Sequence, residues 1–359
     1  MTVCILGNGL TALTLAKALV KQNIYVDILY NKKNLHISKT RTIGISKSNT
    51  DYLNKYVINI NKLLWKLKKI EIFSDNLKKE KLINFEKNKD QIFSIVKNYD
   101  LYQILKNDLS RNRYFKSKFI TYKSLSFINK YDLIINCDST NVIAKKYFSK
   151  KIVKKYNIKA HTTIIVHDKI INDTAIQIFT NKGPLAFLPI SDTQTSIVYS
   201  ISKTTTKKKE NIQKLIKEKN FRYKIKSIEK ISNFELKSLN LRSYYHNNIL
   251  AFGDLLHKVH PLAGQGFNMT IRDIKTLLNI IKNKSEVGLA LDKSVNIEFE
   301  NKSKYKNLIF SSGVDLIHEF FNIERKTNSK FLSKSVKLIG NNSKLNKFFS
   351  KVADEGALF

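Results

Sequence analysis

The N-terminal stretch decides the fold class. It runs from an apolar segment through a glycine-rich turn into a helical segment: VCIL at 3–6, GNGLTA at 7–12 and LTLAKAL at 13–19. A second apolar segment, YVDIL, follows at 25–29. Short apolar runs of this length are typical of buried strands, and apolar residues at helical spacing are typical of a packed helix. The order strand, glycine turn, helix, strand predicts the βαβ unit of a Rossmann-like dinucleotide-binding domain in an α/β protein.

The glycine turn has the form G-x-G-x-x-A. We expect Gly7 to make the tight turn, Gly9 to let a pyrophosphate approach the backbone, and Ala12 to keep the helix close to the sheet. The phosphate would lie at the helix N-terminus, where N–H groups and the helix dipole favour an anion. The acidic residue that would hold the adenosine ribose is missing, because the second strand ends in Leu29-Tyr30-Asn31. Asn31 is a weaker candidate for that hydroxyl.

A second glycine-rich segment is more specific. It reads GDLLHKVHPLAGQGFN over residues 253–268 and follows the apolar run ILAF at 249–252. An aspartate at the end of a strand, here Asp254, can accept hydrogen bonds from the hydroxyls of a ribityl chain. The glycine loop at 264–266 can bring N–H groups and a helix N-terminus against an electron-rich ring oxygen.

This segment resembles the GD-x-x-H-x-x-HP-x-AGQG-x-N signature of class A flavoprotein monooxygenases, specifically the ubiquinone-biosynthesis aromatic hydroxylases, which have the para-hydroxybenzoate hydroxylase fold. Further blocks resemble the family in the family's order: RTIGIS at 41–46, VKNYDL at 96–101, DLIINCDS at 132–139 and GPLAFLP at 183–189. The similarity covers most of the chain. It departs from the family where Asp138-Ser139 replaces Asp-Gly, and where Val142 and Lys145 replace a serine and an arginine.

The resemblance implies an oxidoreductase that hydroxylates the aromatic ring of a polyprenyl phenol in ubiquinone biosynthesis. It implies non-covalent FAD, reduction by NAD(P)H or another external donor, and reaction with O2 through a flavin C4a-hydroperoxide. His260 and Pro261 would lie beside the flavin ring, and Phe187 and Pro189 at the wall of the substrate cavity. No other catalytic group is assigned. The implied cofactor-binding residues are Gly7, Gly9, Ala12, Arg41, Gly253, Asp254, Pro261, Gly264, Gln265, Gly266 and Asn268.

Chain order suggests two interleaved domains and a tail. We expect a discontinuous FAD-binding domain made of residues 1–65, 98–155 and 245–335. An inserted substrate domain with a mixed β-sheet would comprise residues 66–97 and 156–244. A helical C-terminal segment would follow at 336–359.

Charge gives a weaker indication of partners. Lys and Arg number 64 against 29 Asp and Glu, a formal net charge of +35, which suits nucleic acid or an anionic membrane. The lysine runs lack interleaved aromatic residues that could stack on bases, so a solvated face is favoured and nucleic acid is not expected. A basic amphipathic stretch at 330–349 could dock weakly on a membrane, although an ordinary helical surface is slightly favoured.

The positions of the cysteines and histidines argue against a disulfide framework and against a metal site. Cys4 and Cys137 lie in apolar runs and form no secreted-type disulfide framework, which indicates a reducing compartment. With no apolar run of about 18 residues or more, we expect a cytoplasmic protein, with the inner face of the membrane as a candidate location. We expect His257 to be structural and assign no metal to His161 or His167, because no ligand spacing supports one.

Three alternatives stay open at this level. One keeps the flavin but changes the reaction to that of a prenyl reductase or another aromatic hydroxylase, which product identification would reveal. Another is an FAD-binding accessory or impaired subunit of a quinone-synthesis assembly, which would not consume NAD(P)H or O2. The last is a nucleic-acid binder, whose affinity would fall steeply with salt and which would be colourless.

Overall fold

The computed structural model describes residues 2–31, 37–75, 80–86, 91–120, 130–202, 211–260, 264–327, 347 and 351–356. The strands are β1 (Thr2–Leu6), β2 (Tyr25–Tyr30), β3 (Thr42–Ser46), β4 (Trp65–Leu67), β5 (Lys69–Ser74), β6 (Glu80–Glu86), β7 (Phe93–Lys97), β8 (Phe115–Phe119), β9 (Leu133–Asn136), β10 (Lys151–His167), β11 (Thr174–Thr180), β12 (Gly183–Pro189), β13 (Gln194–Ser202), β14 (Ile225–Ile228), β15 (Ser232–Leu241), β16 (Tyr245–His246), β17 (Ile249–Ala251) and β18 (His257–Lys258). The helices are α1 (Leu10–Val20), α2 (Lys47–Tyr52), α3 (Asn98–Leu109), α4 (Val142–Tyr147), α5 (Ile212–Lys219), α6 (Gln265–Glu286) and α7 (Lys293–Thr327).

A six-stranded sheet confirms the predicted Rossmann-like core. Its strand order is β16-β17-β9-β1-β2-β8, and β1 runs parallel to both of its neighbours, β2 and β9. Side chains of β1 such as Val3 and Ile5 are fully buried, because helices and strands cover both faces of the sheet. The chain moves to opposite sides of β1 to form β2 and β9. Ligands of open α/β sheets bind at such a reversal, beyond the carboxyl ends of the strands.

A nine-stranded mixed sheet forms the second layer. Its order is β18-β15-β10-β13-β12-β11-β5-β6, with β14 paired to β10, and β5 alone among these pairs lies parallel to its neighbour β11. One face packs against α5 through Ile216 and Tyr223. The other face meets β3, where the Thr42 hydroxyl donates to the Ser196 hydroxyl at 2.9 Å. The predicted second sheet is therefore confirmed, including the contribution of β5 and β6.

A small antiparallel sheet, β3-β7-β4, lies between the two larger sheets. It joins β3, from the proposed FAD-binding domain, to β7, from a segment assigned to the substrate domain. The proposed boundary at 155/156 falls inside β10, which runs continuously from Lys151 to His167. The domain limits stay a prediction.

The described part of the C-terminal region is mostly helical. Helix α6 has 22 residues and α7 has 35. Within the described ranges, no helix combines the length and apolar character needed to cross a membrane. In the predicted tail, residues 351–355 are helical, whereas the basic stretch at 330–349 lies outside the described residues apart from residue 347.

Candidate cofactor site

Sequence blocks that are far apart in the chain meet at the carboxyl edge of the six-stranded sheet. A Cβ atom added to Gly7 would lie 3.3 Å from the Cβ of Asp138. Gly253 adopts a φ of +60°, and a Cβ added there would lie 2.6 Å from the Cγ2 of Thr11. The two glycine motifs therefore touch each other, at the first turn of α1.

The N-terminus of α1 is open. Gly9 caps the helix in an extended conformation without a side-chain hydrogen bond, and the first turn carries no acidic residue. A Cβ added to Gly9 would meet no atom of the described residues within 4 Å. Free N–H groups beside open space suit an anion such as a pyrophosphate. Ala12, one turn further on, is fully buried, as the motif requires.

The second motif presents a carboxylate and another helix N-terminus. Asp254 follows β17, is exposed, and lies 3.4 Å from the ammonium of Lys258. Burial chiefly, and then the charges of Asp138 and Asp254, raise the pKa of the Cys137 thiol. Gly264 begins α6 in the left-handed conformation, with φ +65°, a conformation that favours glycine.

Gln265 and Gly266 form the first positions of α6. The Gln265 side-chain oxygen Oε1 is buried and finds no hydrogen-bond partner among the described residues. A Cβ added to Gly266 would lie 3.9 Å from the Cγ2 of Val259, which is ordinary contact. An unpartnered buried acceptor is costly, so the Gln265 oxygen is suited to a donor on a bound ligand.

Asn268 holds the glycine loop against the small sheet. Its Oδ1 accepts from the Ser46 N–H at 3.0 Å and from the Asn49 side chain at 3.0 Å. Its Nδ2 donates to the carbonyl of Gly44 at 3.1 Å and to that of Gly264 at 3.5 Å. The side chain is fully buried and its hydrogen bonds go to protein atoms. These contacts give Asn268 a positioning role, and a direct contact with the cofactor stays a prediction.

The C-terminal helical turn at 351–355 packs against the end of β3 and the start of α2. The Asp354 carboxylate oxygen Oδ1 accepts from the Ser48 N–H at 2.9 Å, in the first turn of α2. The Asp354 carbonyl accepts from the hydroxyls of Ser46 at 3.0 Å and Ser48 at 2.9 Å. Asp354 therefore caps α2 from a distant part of the chain.

His260 lies in a buried aromatic cluster between the loop, β10 and α7. Its ring lies 4.3 Å from that of His318 and 4.9 Å from that of Tyr156, measured between centroids. The Tyr156 hydroxyl donates to Asp315, which also accepts from Ser238 at 3.2 Å. Burial, and then the neighbouring His318, lower the pKa of His260 to about 3.

Neither ring nitrogen of His260 has a hydrogen-bond partner among the described residues, although the side chain is 1% exposed. The imidazole is therefore neutral at physiological pH, with one donor and one acceptor to offer. Pro261, predicted beside it, lies outside the described residues, so its place near the flavin stays a prediction.

His257 has a structural role, in keeping with the expectation from its sequence. Its Nε2 and the Asp273 carboxylate of α6 lie 2.5 Å apart, and both side chains are buried. The other Asp273 oxygen accepts from Asn307 of α7 at 3.0 Å. This network ties the loop to both C-terminal helices.

The two histidines of the large sheet do not gather metal ligands. The ring nitrogens of His167 contact the Asp168 carbonyl at 2.8 Å and the Thr195 hydroxyl at 2.9 Å. Burial, and then the charge of Lys159, lower the pKa of His161. In the described part of the chain, no group of three or more His, Cys, Asp or Glu side chains could hold a metal ion.

Arg41 lies at the entrance to β3. It is exposed, and its guanidinium carbon is 5.7 Å from the ring centroid of Phe234 in β15. Its carbonyl accepts from the Asn98 N–H at 2.9 Å, which joins β3 to the start of α3. A contact between Arg41 and a pyrophosphate stays a prediction.

Phe187 requires a correction. Its side chain is 2% exposed and belongs to the core under α5, with Tyr223 at 5.8 Å between ring centroids. Side chains alternate across a strand, so Ala186 and Leu188 lie on the opposite face, toward the small sheet. Pro189 is also buried and, two residues further along β12, lies on the same face as Phe187. The predicted wall residues Phe187 and Pro189 therefore lie on the face of β12 that packs toward α5, and not on the face toward the small sheet.

The presence of Ser139 where the family has glycine does not strain the local backbone. Ser139 is exposed and is not one of the described non-glycine residues with positive φ, which are Asn23, Asn157 and Asn247. A glycine is thus not required at position 139 in this turn. At the end of β2, Asn31 is exposed, so its amide is available to a ligand hydroxyl.

Sequence reasoning missed the residues that clamp the site. Ser46 and Asn49 were not singled out, although both bind Asn268. Gly44 lies inside β3, and a Cβ there would collide with the ring of Phe93. An isolated glycine within a strand signals such a close approach, so Gly44 could have been found.

The polar groups of the site fit FAD. It combines an open helix N-terminus at Gly9, an exposed carboxylate at Asp254, an unpartnered oxygen at Gln265 and a neutral imidazole at His260. A dinucleotide offers matching groups, namely phosphate oxygens, ribityl hydroxyls and ring donors.

Comparison with known proteins agrees with this geometry. A sequence profile of the FAD binding domain family matches residues 139–284. The 3-demethoxyubiquinol 3-hydroxylase of Escherichia coli (strain K12) is 30% identical over 156 residues, 42% of this chain and 40% of that protein. Over part of its length, the chain is therefore similar in sequence to ubiquinone-biosynthesis hydroxylases. The ubiquinone biosynthesis monooxygenase COQ6 of Drosophila melanogaster is 24% identical over 233 residues, 53% of this chain and 49% of that protein.

Residues 139–284 thus match an FAD-binding domain, and the chain spans about half the length of these relatives or less. Its fold is that of flavin-dependent monooxygenases of known structure. The p-nitrophenol 4-monooxygenase PnpA of Pseudomonas putida DLL-E4 superposes with a TM-score of 0.77 at 11% identity, covering 100% of this chain and 99% of that one. HpxO of Klebsiella pneumoniae, complexed with FAD and uric acid, gives 0.77 at 12% identity, covering 100% and 98%.

Proposed function

We propose that the protein is an FAD-dependent monooxygenase that hydroxylates the aromatic ring of a polyprenyl phenol in ubiquinone biosynthesis. The observation that carries the proposal is the meeting of the two glycine motifs, where Gly253 abuts Thr11 beside the open N-terminus at Gly9. The names of the relatives support the substrate class and the reaction.

Each part of the site has a binding task. The N–H groups at the start of α1 bind the pyrophosphate, Asp254 accepts from ribityl hydroxyls, and the start of α6 faces the ring system. Bound FAD would supply the redox chemistry, taking electrons from NAD(P)H or another donor and passing them to O2. Asn268 and Asp354 hold the surrounding loops in place, so that the ligand groups meet fixed N–H donors.

The substrate lies on the face of the large sheet opposite Phe187. On that face Gln177, Ala186 and Val198 are cross-strand neighbours in β11, β12 and β13, and all three are partly exposed. Small apolar side chains leave room for an aromatic ring, and the Gln177 amide is a polar group beside it.

His260 serves as a neutral hydrogen-bonding residue. Its low pKa keeps the proton count of the ring constant across the physiological range, so it can donate to one group and accept from another. Tyr156 and His318 fix the ring plane through their contacts. This arrangement orients a bound polar group and excludes water from it.

The test is cofactor identification followed by turnover. The purified protein should be yellow, release FAD on heating as identified by mass, and consume O2 with NAD(P)H faster when a prenylated phenol is added. The hydroxylated ring product is then identified by mass. A protein that binds FAD but shows no substrate-stimulated O2 consumption would favour an accessory role, and a colourless protein that takes up no FAD contradicts the proposal.

A further inference from the structure

Helix α7 carries polar side chains on its buried side, beside Phe299 and Val314. Ser303, Asn307, Ser311 and His318 recur at intervals of four, four and seven residues, which is one or two helical turns, and all are buried. They bind inward: the Asn307 amide donates to Asp273 at 3.0 Å, and the Ser311 hydroxyl accepts from Asn240 at 3.0 Å.

From Tyr305 onward, the outward side of α7 is mainly apolar. We define the α7 stripe as Tyr305, Ile309, Ser312, Leu316 and Phe320. At 100° per residue, these positions fall within about 80° of one another, opposite the buried polar side chains. Tyr305 is 72% exposed, Leu316 70% and Ile309 51%.

A helix on the surface of a water-soluble monomer normally has the reverse arrangement, with its apolar stripe toward the core. Contiguous exposed apolar surface marks a site of contact with a protein or a membrane. Rotating α7 to bury the apolar stripe would break the hydrogen bonds of Asn307 to α6 and of Ser311 to β15. The α7 stripe is therefore left uncovered by the described part of this chain.

Charge around the stripe indicates the partner. Between Tyr305 and Ile323, which are all described, the acidic residues are Asp315, bonded to Tyr156 and Ser238, and Glu319, paired with Lys154 at 2.9 Å. Lys154 brings the start of β10 alongside, where Lys150 and the exposed Ile152 share its face, and Lys306 of α7 is exposed beside Tyr305. Exposed apolar side chains with lysines beside them are the arrangement that binds an anionic lipid surface.

We propose that the α7 stripe and the adjoining start of β10 dock the protein on an anionic lipid membrane. The apolar side chains enter the boundary between headgroups and acyl chains, while the lysines pair with lipid phosphates. A second copy of the chain fits less well, because each copy carries a formal charge of +35.

The test is vesicle flotation of the whole chain as purified. Vesicles of phosphatidylcholine, with and without phosphatidylglycerol, are mixed with wild type, Leu316→Asp and the control Ile171→Asp. Ile171 is 83% exposed and lies between β10 and β11, so the control makes the same chemical change away from α7.

We expect wild type to float with phosphatidylglycerol vesicles, less so as salt rises. Leu316→Asp should weaken binding by about tenfold, since a large apolar side chain no longer enters the lipid, and Ile171→Asp should bind within about twofold of wild type. A neutral variant, Leu316→Gln, should also bind more weakly, which separates the loss of apolar contact from the added charge.

Three results would overturn the proposal. The first is wild type that does not bind anionic vesicles, and the second is Leu316→Asp that binds as wild type does. The third is a dimer in analytical ultracentrifugation that Leu316→Asp dissociates, which would assign the stripe to a second copy. Vesicle binding stands apart from the proposed hydroxylation, because it is measured without substrate and can succeed or fail whatever the FAD and O2 assays show.

Discussion

The backbone N–H of Ser46 donates to the side-chain oxygen of Asn268 at 3.0 Å, across 222 positions of sequence. Ser46 ends β3, and Asn268 lies in the first turn of α6. Through this bond the glycine loop before α6 is held against the small sheet. Asp354 adds a third segment at the same place, because its carbonyl accepts from the Ser46 hydroxyl.

Replacing Asn268 should loosen the loop. Asn268→Ala removes four buried hydrogen bonds and leaves the Ser46 N–H and the Gly44 carbonyl without that partner, so we expect a loss of about 2–4 kcal/mol in the free energy of unfolding. Urea unfolding measures it. The control Asn61→Ala changes an exposed asparagine and should cost less than about 1 kcal/mol. Equal losses in the two variants would contradict the clamp.

Two glycines should respond differently to an added methyl group. Gly9→Ala places its Cβ in open space, so the apoprotein should unfold within about 0.5 kcal/mol of wild type while its FAD dissociation constant rises about tenfold. Gly253→Ala forces the methyl group against Thr11 at φ +60° and should destabilise the apoprotein itself. Thermal unfolding and FAD fluorescence titration measure the two effects. Unchanged FAD affinity in Gly9→Ala would exclude a close approach there.

Strand alternation in β12 predicts separate effects at adjacent positions. Ala186→Phe fills the partly exposed face and should raise KM for the phenol about tenfold or more, with FAD affinity and stability retained. Phe187→Ala opens the core beside Tyr223 and should cost about 3–5 kcal/mol of stability. Steady-state kinetics and urea unfolding are the measurements. An unaltered KM in Ala186→Phe would remove this face from the substrate site.

The pKa of His260 makes stability depend on pH in one direction. The folded pKa is near 3 and the reference value is 6.5, so the unfolded chain binds the proton first as pH falls. The stabilising contribution is complete above 6.5 and is lost between 6.5 and 3, at about 1.4 kcal/mol per pH unit. Urea unfolding of the apoprotein from pH 7 to pH 4 should therefore show a shallower loss in His260→Leu than in wild type. If the free energy of unfolding has the same pH dependence in both proteins, His260 is not a buried neutral imidazole.

The cap on α2 is testable with neighbouring residues. Asp354→Ala removes the acceptor for the Ser48 N–H and should cost about 1 kcal/mol in the free energy of unfolding. Asp354→Asn keeps an acceptor and should cost less. The control Glu355→Ala alters the next, exposed residue and should leave urea unfolding unchanged. If Glu355→Ala and Asp354→Ala behave alike, the cap contributes nothing measurable.

Local patterns predicted the N-terminal βαβ unit. It follows from short apolar runs around a glycine turn, because each run is encoded by neighbouring residues. The face of β12 could not be assigned in this way. GPLAFLP has apolar residues on both faces, and only the positions of α5 and β3 show which face Phe187 shares with the core.

Long-range contacts limit prediction of the site in the same way. The partners of Asn268 lie more than 200 positions away, so its hydrogen bonds cannot be inferred from the loop alone. The same applies to His260, whose neighbours Tyr156 and His318 belong to distant strands and helices. The sequence motif therefore indicates that a loop binds a ligand, whereas the fold determines which of its side chains are free to do so.

The central position of β1 has a consequence for how the protein is made. Val3 pairs with Leu133, and β9 in turn pairs with β17, where Ile249 lies opposite Ile134. Strand β1 therefore waits for more than a hundred residues of synthesis before its second neighbour exists, and β9 waits longer still for β17. Strands β11, β12 and β13 need only short hairpins and can pair before β17 is synthesised. We expect the nascent chain to pair these three strands while the six-stranded sheet is still unfinished, and dependent on chaperones, until β17 joins it.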